Sequence, residues 1–204
     1  MMEKDEKSWT AGHIVDYNLK EELEHAIYVS CLARDLAKEM QLSEQKQYDI
    51  SLAGFLHDVG KLEVAEHMLE KEEEKPLIIE EMKYVRIHST LSYQILKERG
   101  YPENILEAVR CHHENFDGTG YPDNLRGDKI PLAARIIRVC DVFAALTSDR
   151  PYRKHFEMED ALQLMIDESQ HFDLGVFLNF QRMIHRVGTK YQYHFQEGVQ
   201  DGTD

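Results

Sequence analysis

Five histidines and two aspartates in this 204-residue chain sit where polar side chains are costly. His25, His88 and His113 fall on the apolar stripes of amphipathic segments, where an imidazole needs a partner. His57-Asp58 closes YDISLAGFLH, a segment with almost no charge, and His112-His113 closes another. Asp141 lies inside RIIRVCDVFAAL, where an unpaired carboxylate is expensive to bury. A lone histidine on such a stripe reads as a satisfied core residue. Seven such groups pointing inward from separate segments offset their burial together by holding metal ions. Mixed imidazole and carboxylate donors suit iron, manganese, zinc or related ions without any thiolate. A bridging carboxylate such as Asp58 lets two metals sit about 3.5–4 Å apart, the spacing used in phosphoester chemistry. Glu21 stands four residues before His25 on the same helix face. Spacing alone leaves it either a further ligand or an exposed helix-start carboxylate within EELE.

The elements that must position these groups read as helices throughout. His25, Val29, Leu32, Leu36 and Met40 form one stripe over residues 20–40, and 48–57 forms a second, short helix ending near Gly60. A third spans 78–99 with Met82, Val85, His88, Leu91 and Ile95 in register, and Gly100-Tyr101-Pro102 stops it. A fourth covers 103–113, with Ile105, Val109 and His113 on one side. ENFDGTGYPDNLRGDKIP then reads as a loop with turns. Pro131 starts a long apolar helix through Leu146, and helices at 158–169 and 174–185 follow before a polar tail. The predicted fold is all-α: a single-domain helical bundle with a metal centre in its core. Residues 1–19 are expected to be an N-terminal extension, 20–186 the helical domain and 187–204 the tail. The KEEEK run at 71–75 reads as a solvated connection.

Composition narrows the function. Twenty-four Lys and Arg against 38 Asp and Glu give a formal net charge of −14, contrary to the basic face of a nucleic-acid or membrane-surface binder. A small anionic substrate remains compatible, because a site can be locally positive on an acidic body. Three cysteines, Cys31, Cys111 and Cys140, are too few for a disulfide framework and indicate a reducing compartment. Cys111 and Cys140 adjoin candidate ligands, but a helical neighbour points about 100° away, so both read as small buried hydrophobes. No apolar run approaches the roughly 18 residues of a membrane helix, and MMEKDEKSW lacks a signal core; the expected location is cytoplasmic.

His57-Asp58-Val59-Gly60-Lys61, His88, HHENFDGTGYP (112–122) and ARIIRVCDVFAALTSDRPYR (134–153) occur in the order of a known family. The sequence resembles the HD-GYP family, the branch of the HD metal-dependent phosphohydrolases that degrades cyclic di-GMP. Similarity runs from about residue 21 to about residue 182 and includes HFDLGVFLNF as the closing helix. The resemblance implies the HD phosphohydrolase bundle, with His25, His57, Asp58 and Asp141 as the shared metal ligands. It implies that His88, His112 and His113 complete a second metal site, and that Glu21 marks trinuclear members. Two or three divalent ions are thus expected, iron or manganese first, with zinc, nickel, cobalt or magnesium as alternatives. Asp58 and Lys61 take the catalytic roles, Lys61 on the scissile phosphate. Gly118, Gly120, Tyr121 and Pro122 form the signature loop, and Arg150 and Arg153 match a basic pair used on substrate phosphates.

Some positions depart from the family pattern. Ser92 stands where glycine is usual, Asn115 where arginine is frequent, Val64-Ala65 replaces an apolar-proline step, and KEEEKPL distorts a common turn. None removes a ligand. The implied reaction is hydrolysis of cyclic di-GMP to linear pGpG in bacterial second-messenger signalling, with the second cut to GMP left open and favoured where three metals are bound. The alternatives are a non-catalytic cyclic-dinucleotide receptor or scaffold, a phosphodiesterase preferring cyclic GMP-AMP, and an HD hydrolase of mononucleotides. Expected partners are the dinucleotide, GGDEF-type proteins, a sensor or receiver, and a second copy of the chain; nucleic-acid polymers and membranes are not.

Overall fold

The computed structural model describes residues 19–63, 78–149 and 154–187, with only the backbone of 78–85 and 187. Arg150, Arg153, Val64-Ala65, the KEEEK run and residues 188–204 of the expected C-terminal tail lie outside the described residues, whereas residue 187 belongs to the last helix. Seven α-helices lie wholly among the described residues, in chain order: α1 (Leu19–Glu39), α2 (Glu44–Leu56), α3 (Ile78–Glu98), α4 (Glu103–Arg110), α5 (Leu132–Thr147), α6 (Met158–Asp167) and α7 (Leu174–Val187). Residues 60–63 are also helical, and 3-10 turns lie at Gly127–Lys129 and Ser169–His171. No strand occurs among the described residues.

α5 is the hub. It packs against α1, α2, α4, α6 and α7, and its sequence explains why. Ala134, Ile136, Ile137, Val139, Cys140, Phe143 and Ala144 are all buried, so apolar residues cover most of its circumference. Pro131 starts it at the N-cap, where the missing N–H of proline costs nothing. The inner stripe of α1 (Val29, Leu32, Ala33, Leu36, Ala37) is fully buried in the same core. From α7, Phe180 meets Phe143 edge-to-face with ring centroids 5.1 Å apart, an arrangement aromatic quadrupoles favour.

Two helix boundaries differ from the periodicity reading. α2 begins at Glu44 rather than near 48, because the Ser43 hydroxyl accepts the Lys46 N–H at 3.4 Å and caps a polar first turn. α4 stops at Arg110, three residues before the expected end, and Cys111–His113 form a turn. Its last carbonyls are taken up by that turn: Cys111 N–H donates to Glu107 O at 3.0 Å, and the buried His112 ring binds Val109 O at 2.6 Å. This matters for function, because consecutive helical residues diverge by about 100° whereas turn residues can converge.

Candidate metal centre

Five elements deliver side chains to one place beside the core. His25 comes from the inner face of α1, His57 and Asp58 from the end of α2, and His88 from α3. His112 and His113 follow α4, and Asp141 belongs to α5. His25, His57, His88 and His112 are buried. The segment after Asp58 is held by a close helix crossing. A methyl at Gly60 would overlap the His88 carbonyl oxygen and the Ser92 backbone nitrogen, so only glycine lets the chain pass this near α3. Ser92, a departure from the family pattern, fits the crossing: its buried hydroxyl accepts the Gly60 N–H at 2.8 Å.

The donor atoms form two groups, Asp58–His88–His112–His113 and His25–His57–Asp141, and within each they lie within 4.8 Å of one another. In the first, His88 Nε2 is 3.0 Å from His113 Nε2 and 3.3 Å from His112 Nε2. In the second, His25 Nε2 is 3.0 Å from Asp141 Oδ1, and His57 Nε2 is 3.8 Å from that same oxygen. Asp58 joins the groups: Oδ1 lies 3.1 Å from His88 Nε2 and Oδ2 lies 3.1 Å from His57 Nε2.

Protons alone satisfy this cluster poorly. His112 Nδ1 donates to Val109 O at 2.6 Å and His57 Nδ1 to Gly54 O at 2.8 Å, which directs both Nε2 atoms inward. Burial, reinforced by the neighbouring imidazoles, holds His112 well below its ordinary pKa. Burial likewise lowers His113 to about 3, so both rings present lone pairs rather than charges. Burial would also depress His57, but Asp58 and Asp141 outweigh it and lift that ring to about 10. Burial alone would raise Asp58 and Asp141, yet His57 with Lys61, and His25 with His57, hold these carboxyls well below the usual range. Even so, His57 Nε2, Asp58 Oδ1 and His25 Nδ1 are buried without an aligned hydrogen bond. Lone pairs and anionic oxygens converging from several directions fit divalent cations of the iron, manganese or zinc type.

The loop after His113 closes one side. Glu114 is buried, and its carboxylate accepts the backbone N–H of Asp123 at 2.7 Å and of Leu125 at 3.0 Å. Arg110 clamps the Asp123 carboxylate through Nε at 3.0 Å and Nη2 at 2.8 Å. At Gly120 a methyl would overlap the His113 carbonyl oxygen and the Asn115 nitrogen, so the loop needs glycine there to lie against the ligand turn. Gly118 takes the left-handed region, φ 86°. Tyr121 is thereby brought over the centre, its ring centroid 4.7 Å from that of His113, with the Arg86 guanidinium 5.6 Å from the phenol ring. Sequence reasoning passed over Glu114, Arg86 and Arg138. The only signal for Glu114 was a carboxylate directly following two buried histidines.

Lys61 stands at the rim, 2.6 Å from Asp58 Oδ2 and 3.2 Å from Glu22 Oε2. Burial would lower its pKa, but the two carboxylates outweigh that and keep it cationic. Glu21 belongs to neither donor group; its neighbour Glu22 is the α1 carboxylate that meets Lys61.

The sequence pattern of the HD domain matches residues 10–176. The chain belongs to the HD-domain family. Among curated relatives, this HD domain is 36% identical over 161 residues to a cyclic di-GMP phosphodiesterase of Pseudomonas aeruginosa, covering 78% of the chain and 38% of the relative. It is also 36% identical over 174 residues to 3'3'-cGAMP-specific phosphodiesterase 1 of Vibrio cholerae, covering 81% and 39%. The chain therefore spans under two fifths of these relatives. Among solved structures, an HDG"Y"P protein of Bdellovibrio bacteriovorus shares the fold at a TM-score of 0.63 and 18% identity, covering 84% of this chain and 56% of that one. The HHENFDGTGYP motif and the curated relatives agree with the HD-GYP branch. No described helix is long and apolar enough to cross a membrane.

Proposed function

We propose that this HD domain is a metal-dependent phosphodiesterase that hydrolyses cyclic di-GMP to linear pGpG and onward to GMP. The observation that carries the reading is Asp58, whose two carboxylate oxygens each lie 3.1 Å from a ligand nitrogen of a different donor group. One carboxylate shared by two histidine-rich groups is an arrangement for adjacent divalent ions. Residues 20–186 form the catalytic unit in this reading, with His25, His57, Asp58, His88, His112, His113 and Asp141 as ligands and Glu21 as the added ligand of a third ion. Iron or manganese is the proposed metal, and the cytoplasm the proposed location.

When bound, such ions supply Lewis acidity and lower the pKa of an attacking water. Asp58 orients both donor groups about one point. Lys61 presents a fixed ammonium at the Asp58 edge, where it meets a phosphoryl oxygen and stabilises charge that grows in the transition state. Tyr121 offers a ring face to a nucleobase, and Gly118 and Gly120 let the loop carry that ring close to the ligands. Arg150 and Arg153 are proposed to contact substrate phosphates. No side-chain nucleophile is required.

A second reading, preference for cyclic GMP-AMP, is favoured by equal identity to the relative named for that substrate. The test is to supply the purified chain with Mn²⁺ or anaerobic Fe²⁺ and follow cyclic di-GMP and 3'3'-cyclic GMP-AMP by chromatography. Hydrolysis of both, faster for cyclic di-GMP, is expected. Faster cleavage of the mixed dinucleotide establishes the second reading. Tight binding with no turnover under any metal makes the domain a receptor and overturns both.

A further inference from the structure

Two arginines one turn apart on α5 have different surroundings. Arg135 is neutralised by carboxylates, Asp128 at 3.0 Å and Asp173 at 2.5 Å. Arg138, one turn closer to Asp141, is half-buried and makes no ion pair among the described residues. Its Nε and Nη2 both donate to one neutral acceptor, Asn115 Oδ1, at 3.2 and 2.9 Å. A guanidinium partly removed from water is thus held by an amide rather than by a paired carboxylate among the described residues.

The amide is itself locked. Asn115 Nδ2 donates to Thr119 Oγ1 at 3.0 Å, and that hydroxyl donates to Asp117 Oδ1 at 2.7 Å. This chain of bonds fixes which end of the Asn115 amide faces Arg138. It also ties the guanidinium to the loop carrying Gly118, Gly120 and Tyr121. Asn115 follows the His112-His113 turn closely in sequence and its backbone lies against Gly120, so its partner Arg138 stands at the loop side of the centre. Lys61 stands beside Asp58, on the turn that follows α2. The position usually held by arginine in the family carries Asn115 here, and its amide orients an arginine supplied by α5 instead.

We propose that Arg138 is a substrate-anchoring residue: with one edge held by Asn115, its guanidinium binds a phosphate of the cyclic dinucleotide at the Tyr121 side while Lys61 serves the phosphate being cut. A guanidinium suits this task because its planar donor fork matches phosphate oxygens and keeps its charge. The inference rests on the phosphodiester reading above and adds a specificity element to it. A ligand with two phosphates meets both cations, whereas a single phosphodiester engages only the Lys61 end.

The experiment compares kcat/KM of the full chain for cyclic di-GMP and for bis(p-nitrophenyl) phosphate, a single phosphodiester, in Arg138→Gln and Arg138→Lys. Cyclic di-GMP affinity of EDTA-treated protein is measured in parallel by calorimetry. The ratio of the two kcat/KM values is expected to fall about ten- to hundredfold in Arg138→Gln, chiefly through KM, as for loss of a charged hydrogen bond. Arg138→Lys, which keeps the charge without the fork, is expected to recover part of it. Calorimetry should show a weakening of similar size. Equal losses on both substrates, or an unchanged ratio with unchanged affinity, overturn the anchoring role while leaving the phosphodiesterase reading intact. If the wild-type chain cleaves bis(p-nitrophenyl) phosphate but neither binds nor cleaves a cyclic dinucleotide, the functional reading fails and this inference falls with it.

Discussion

The Lys61 ammonium lies 2.6 Å from Asp58 Oδ2, on the same oxygen that approaches His57. A side chain on the helical turn just after the ligand pair therefore shares the carboxylate that joins the two donor groups. In the proposed mechanism this couples the cation aimed at substrate to the residue that organises the metals, yet the two roles are separable by mutation. Lys61→Met should lower kcat by about 10²–10³, the loss typical of one preorganised transition-state donor. Metal content per chain, measured by plasma mass spectrometry, should stay at the wild-type level. A variant that loses metal along with activity would make Lys61 a support for Asp58 instead.

Asp58 itself should behave differently. Divalent ions that bind only the folded chain stabilise it by about 2.7 kcal/mol at a hundredfold excess over Kd. For a chain of this size that is a rise in Tm of about 5–10 °C. The wild type is expected to show this rise on adding Mn²⁺ to EDTA-treated protein, read by calorimetry. Asp58→Ala should lose most of the rise together with hydrolysis. A full rise in the variant would remove Asp58 from the ligand set.

Glu114 does no chemistry in this scheme and is still expected to be sensitive. Its carboxylate holds two backbone N–H groups of the signature loop. Truncation to alanine leaves both donors without that acceptor, at about 1–3 kcal/mol each. Urea unfolding of Glu114→Ala should show a loss of about 2–6 kcal/mol with the m-value unchanged.

Gly60→Ala tests the helix crossing. The added methyl must displace the His88 carbonyl or the Ser92 nitrogen, both backbone atoms with little room to yield. Overpacking of this kind costs about 1–3 kcal/mol. Because His88 moves with its backbone, Mn²⁺ affinity measured by calorimetry should also fall. Weaker folding with unchanged metal affinity would mean that the crossing relaxes away from the centre.

The cysteines give a test independent of function. Cys31 is exposed, while Cys111 and Cys140 are buried. Burial, reinforced by Glu114 and Asp123, pushes the Cys111 thiol up to about 12. Burial, with Asp141 adding to it, pushes the Cys140 thiol far above its usual range. Iodoacetamide at pH 8 should therefore alkylate Cys31 first, and the other two only on unfolding; peptide mass spectrometry reads the order. Early labelling of Cys140 would contradict the packing of α5.

The sequence by itself determined the helices and the identity of the groups that converge. Apolar spacing is a local property, so the stripe of α1 and the all-round hydrophobicity of α5 were legible without any partner. So was the cost of burying His57, Asp58, His112 and Asp141, which pointed to a shared cation. What the tertiary structure decided is how side chains meet when local spacing permits more than one answer. Glu21 and Glu22 lie four and three residues before His25, both within helical reach of its face. Only the packing of Lys61 against α1 distinguishes them, giving Lys61 to Glu22 at 3.2 Å. His113 matched the stripe of Ile105 and Val109, but α4 ends at Arg110, and the turn lets two consecutive histidines approach His88. Arg135 and Arg138 look alike in sequence; one meets two carboxylates and the other an amide. Periodicity reports which face of an element is buried, but partners arriving from distant segments decide which charges are neutralised there and which remain free to bind a ligand.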